Sequence, residues 1–81
     1  MSVVILETIQ SVVRDVLDDE ELVVGENTVA ADIDDWDSFA QMQIVMGIEN
    51  MFSITFSTDE LTSFKNVGDM VRAVRSHINN D

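Results

Sequence analysis

The sequence predicts an all-α fold: a small four-helix bundle with a long loop between helices 1 and 2 and a short third helix. Three observations carry this prediction. Apolar residues recur at threes and fours in three separate segments, the spacing of one helical face. The 81 residues contain no proline to interrupt those segments. A chain of this length has room for one core, so residues 1–81 are read as a single domain.

Helix 1 is placed at about 3–17, where Ile5, Leu6, Ile9, Val12, Val13, Val16 and Leu17 form the stripe. Its β-branched content is weakly unfavourable, and the run Asp18-Asp19-Glu20-Glu21 opposes the macrodipole, so fraying is expected there. Residues 18–37 form the loop, with Gly25 as a turn and Leu22, Val24, Val29 and Ile33 as apolar pins. Helix 2 follows at about 38–52, with Asp37 or Ser38 able to cap it. Ser57-Thr58-Asp59-Glu60 has the form of a capping box and starts helix 3, about 58–64. Asn66 is the next cap candidate, and Val67, Met70, Val71, Val74, His77 and Ile78 mark helix 4, about 67–78.

Four basic against sixteen acidic residues leave a net charge of −12. Such a surface suits basic partners, whereas nucleic acid and anionic membranes require lysine and arginine that this chain lacks. Without cysteine there is neither a disulfide framework nor a thiolate zinc site. The segment from Met1 to Glu7 has no basic n-region and too short an apolar run for a signal peptide or membrane span. A cytoplasmic monomer is the expectation.

Helix 2 carries more apolar surface than one flat contact uses. Ile44, Val45, Ile48 and Phe52 share one side, while Phe39, Met42 and Met46 point roughly 140° away by helical rotation. Either neighbouring helices wrap this one on several sides, or the second stripe stands in water as a docking surface, a use that suits methionine.

Ser38 lies at the end of that stripe, behind Asp34, Asp35 and Asp37. A serine nucleophile needs a general base and an oxyanion hole. The only histidine, His77, falls on the apolar face of helix 4, and Asp37 and Phe39 flank Ser38 where a nucleophile elbow has glycines. Carboxylates nearby also disfavour an alkoxide. The hydroxyl is therefore inert alone: either a helix cap, or a group that a partner enzyme modifies. A calcium loop fails on spacing. Starting at Asp32 puts Trp36 on the fifth ligand position and Gln43 on the terminal glutamate, and starting at Asp35 puts Phe39 on the fifth.

Asp37-Ser38-Phe39, followed by Met42, Ile44, Val45, Met46, Ile48, Glu49 and Phe52, resembles the second helix of acyl carrier proteins, whose hallmark is Asp-Ser-Leu and then an apolar helix. The resemblance covers nearly the whole chain in element order, length and acidity. It implies a carrier, not an enzyme. It implies that a phosphopantetheinyl transferase attaches 4′-phosphopantetheine from coenzyme A to Ser38, and that the thiol of this arm holds acyl or aminoacyl cargo as a thioester for a lipid, polyketide or specialised pathway. Partners would be loading ligases and synthases with basic docking patches, met by Asp34, Asp35, Asp37, Phe39, Met42, Met46 and Glu49.

Some residues depart from the family pattern. Phe39 stands in place of leucine, and Gln43 and Asn50 stand where fatty-acid carriers usually have glutamate. Dedicated partners are therefore expected. Trp36 either packs the loop or contacts a partner. The competing reading is an acidic interaction module or nucleic-acid mimic with no prosthetic group, for which the stripe beside a lone serine has no obvious use.

Overall fold

A computed structural model describes residues 2–79; Met1, Asn80 and Asp81 of the expected domain lie outside the described residues. The helices are α1 (Ser2–Leu17), α2 (Ser38–Phe52), α3 (Thr58–Ser63) and α4 (Val67–Asn79), and one 3-10 turn at Ala30–Asp32 interrupts the long loop. The described residues contain no strand.

The apolar periodicity becomes the core. Ile5, Ile9, Val12 and Val13 of α1 meet Ala40, Ile44, Val45 and Ile48 of α2 and Val67, Met70, Val71 and Val74 of α4 in one buried cluster. Each fully buried isoleucine or valine contributes about 1.5–3 kcal/mol, so these three stripes outweigh the poor helix propensity of the β-branched residues. α1 packs on both α2 and α4. Its approach to α2 is close at Gly47, where a Cβ would lie 2.7 Å from Val12 Cγ1.

Two helices end on left-handed residues that are not glycine. Asp18 has φ 53° and Ser53 has φ 56°. Asp19 N–H donates to the Arg14 carbonyl at 3.0 Å and Ile54 N–H to the Glu49 carbonyl at 3.0 Å, the long bonds of Schellman caps. The acidic end of α1, where fraying is expected, is thus closed by a defined cap: aspartate tolerates the left-handed region better than most residues.

The loop is pinned along the bundle. Arg14 Nε donates to the Leu22 carbonyl at 2.6 Å and Val24 N–H to Gln10 Oε1 at 2.7 Å, which lays this segment on α1 and buries Val24. Farther on, Gly68 N–H donates to the Glu26 carbonyl (2.8 Å) and Val67 N–H to the Thr28 carbonyl (2.9 Å). Loop carbonyls thereby satisfy amides that α4 cannot satisfy itself, and Asn66 Oδ1 accepts from Asp69 N–H at 2.9 Å beside them.

α3 contributes no buried residue. Its capping box is complete, with Ser57 N–H donating to Glu60 Oε1 at 2.8 Å and Glu60 N–H to Ser57 Oγ at 3.1 Å. It is held to α4 by His77 Nε2, 2.9 Å from Glu60 Oε1. The Phe56 and Phe64 rings meet edge to face at 5.1 Å across its ends.

Candidate functional site

Asp37 decides what Ser38 is free to do. Asp37 is the N-cap of α2, and its Oδ1 accepts from Ala40 N–H at 2.8 Å. The cap that either residue could supply is therefore taken by the aspartate. Ser38 is left as the first helical residue, exposed, with no hydrogen bond from its hydroxyl among the described residues. A first-turn position also leaves the Ser38 and Phe39 amides without helical acceptors, an arrangement that favours an anion at that spot.

Trp36 is 6% exposed and packs into the core just before this turn, its indole Nε1 donating to Gln41 Oε1 at 2.6 Å. That bond joins the loop to the second turn of α2 and holds the approach to Ser38 in place. Asp34 and Asp35 remain exposed beside it.

The second stripe of α2 is in solvent: Phe39 is 70% exposed, Met42 65% and Met46 64%. Neighbouring helices do not wrap it. Glu49 behaves differently from its neighbours on that face. It is half-buried, and its Oε2 accepts from Phe56 N–H at 2.8 Å, so the carboxylate holds the segment after α2.

A cleft of about 530 Å³ opens beside Ser38, between the long loop and α2 on one side and α3 and the start of α4 on the other. Its floor is Trp36, Val67 and Met70, which are buried; Ser38, Asp37, Leu61 and Lys65 stand at its exposed edge; and Thr28, Ala30, Gln41, Phe64 and Asn66 complete the wall. Sequence reasoning missed this cleft and the residues Gln41, Leu61, Phe64 and Lys65, since no local spacing reports a gap between distant segments. The Lys65-Asn66 corner is set by Asp69, whose Oδ2 accepts from Lys65 N–H at 2.8 Å and whose Oδ1 pairs with Arg72 Nη2 at 2.5 Å. The Lys65 N–H and then Arg72 hold the Asp69 carboxyl below its ordinary range. No group of histidine, cysteine, aspartate and glutamate that could hold a metal ion occurs among the described residues.

The family of the phosphopantetheine attachment site matches residues 7–74. The fold is similar to the solution NMR structure of a holo acyl carrier protein from Geobacter metallireducens, with a TM-score of 0.86 and 35% identity over 93% of this chain and 86% of that one. The chain belongs to the acyl carrier protein family. None of the curated proteins compared matches it. As an acyl carrier protein it is a carrier and not itself an enzyme, and its prosthetic group is phosphopantetheine. Members of this family work with phosphopantetheinyl transferases and with synthases or ligases. The residues at the start of α2 fit such a group: an uncommitted exposed hydroxyl, two amides open to a phosphate, and a cleft alongside. Among the described residues no helix is long and apolar enough to cross a membrane.

Proposed function

We propose that Ser38 is the point at which 4′-phosphopantetheine from coenzyme A is attached, and that the chain carries acyl or aminoacyl intermediates as thioesters between the enzymes of one biosynthetic pathway in the cytoplasm. The observation that carries this reading is the division of labour at the start of α2, where Asp37 caps the helix and leaves the Ser38 hydroxyl exposed. The thiol that holds the cargo arrives with the group, consistent with a chain that has no cysteine.

The chain's own residues do the presenting. Ser38 has no histidine base at hand, since His77 of α4 is engaged with Glu60 of α3, so the transferase must supply the catalyst. Asp34, Asp35 and Asp37 offer negative charge to a basic partner surface, which speeds encounter, while Phe39, Met42 and Met46 give the apolar contact that fixes register. Glu49 contributes to this surface less than Asp34 and Asp35, because it is half-buried and its carboxylate already holds the Phe56 amide. Gln43 and Asn50 leave α2 with one charged side chain, so a dedicated ligase or synthase that reads apolar shape is favoured over interchange with fatty-acid enzymes.

The test is intact mass after incubation with coenzyme A and a broad-specificity phosphopantetheinyl transferase. A gain of one phosphopantetheine that disappears in Ser38→Ala is expected. No gain with a transferase shown to be active would overturn the proposal.

A further inference from the structure

We propose that the cleft beside Ser38 receives an anionic cargo end, a carboxylate at the far terminus of the thioester-bound acyl chain, with Lys65 as its cation. The inference deepens the carrier reading and rests on Ser38 as the attachment point.

The fold leaves hydrogen-bonding capacity unspent on the cleft wall. Trp36 Nε1 can only donate, so the Gln41 atom facing it at 2.6 Å is the amide oxygen, and the Gln41 nitrogen keeps both its protons. Asp69 N–H likewise donates to Asn66 Oδ1, which leaves the Asn66 amide protons unspent. Lys65 uses only its backbone N–H on Asp69, and its ammonium has no hydrogen-bond or ion-pair partner among the described residues. Asp69 does not compete for that ammonium, because Arg72 already pairs with it. The one carboxylate on the lining, Asp37, spends its Oδ1 on the cap of α2.

A saturated alkyl end would lie well against Trp36, Val67 and Met70 but would screen the half-buried Gln41 and Asn66 amides from water without replacing the lost hydrogen bonds. A carboxylate end satisfies them. It is also the cargo for which the rest of the surface is least hospitable, with sixteen acidic residues in the chain. Ser38 and Lys65 line the same cleft, so an arm folded back from Ser38 would bring that end within the side chain's range.

The experiment loads the holo chain with a succinyl or a butyryl thioester, which match in carbon count and differ in the terminal carboxylate. Side-chain amide resonances of Gln41 and Asn66 are then followed in the wild type, Lys65→Met and Lys65→Arg. Succinyl loading is expected to shift both amides where butyryl loading leaves them in place. Lys65→Met should lower the occupied fraction about threefold, the scale of a partly exposed ion pair, with Lys65→Arg retaining it. Equal shifts from both cargoes, no shift from succinyl, or an undiminished shift in Lys65→Met would overturn the inference while the carrier reading stands. A chain that gains no phosphopantetheine overturns both.

Discussion

Trp36 Nε1 donates to Gln41 Oε1 at 2.6 Å, a bond that fastens the acidic loop to the second turn of α2 and frames the serine between them. Trp36 is buried and Gln41 half-buried, so removing the acceptor leaves the indole donor without its partner where water reaches it only from the cleft. Gln41→Ala is expected to cost about 1–3 kcal/mol by urea unfolding. Because the same bond fixes the approach to Ser38, the variant should also be modified more slowly by the transferase at temperatures where it is fully folded.

The α1–α2 contact gives a prediction with two opposing terms. Alanine is the better helix former by about 0.8–1.0 kcal/mol, but its Cβ at position 47 would lie 2.7 Å from Val12 Cγ1, and valine is stiff. Overpacking at about 1–3 kcal/mol wins, so Gly47→Ala should lower the urea midpoint. Val12→Ala introduced with it should cost less than the two single changes added together. Additive costs would show that the helices separate freely at this point.

Two substitutions separate the faces of the helices. Met46→Glu is expected to leave stability within about 0.5 kcal/mol, since the side chain is 64% exposed, yet to weaken handling by partner enzymes. Val71→Asp places an unpaired charge where the side chain is 1% exposed and should unfold much of the bundle, read by circular dichroism.

Acidification should act through Glu60 and Asp69. The Ser57 N–H and then His77 lower the Glu60 pKa, as the Lys65 N–H and then Arg72 lower that of Asp69. A carboxyl depressed in the folded state stabilises it above the unfolded values, near 4.5 and 3.8, and loses that contribution as pH falls through the lower folded values. The stability gap between the wild type and Glu60→Gln should therefore close as the pH drops below about 4.5, and that between the wild type and Asp69→Asn as it drops below about 3.8. A gap that widens as the pH falls below those values would reverse the assigned sign.

Much of the fold is written in local signals. Ile44, Val45 and Ile48 appear at helical spacing, and Ser57 and Glu60 stand at the separation that a capping box requires. What was hidden depends on competition or distance. Asp37 and Ser38 are both good caps, and only the folded turn shows which one is spent. Glu49 has the sequence of an outward carboxylate, but the segment returning after α2 brings the Phe56 amide to it. The cleft exists only once residues 28–41 and 61–70 are brought together, a pairing that no periodicity records.

α3 sinks nothing into the interior, so the outer wall of the cleft is anchored at that six-residue helix's rims: by the His77–Glu60 contact and by the Phe56 ring, which meets both Phe64 and His77 edge to face. Such a segment sits at the low end of the local opening scale. Local opening of α3 is therefore expected before the three long helices part, read as faster amide exchange over residues 58–63 than in the buried turns of α1, α2 and α4.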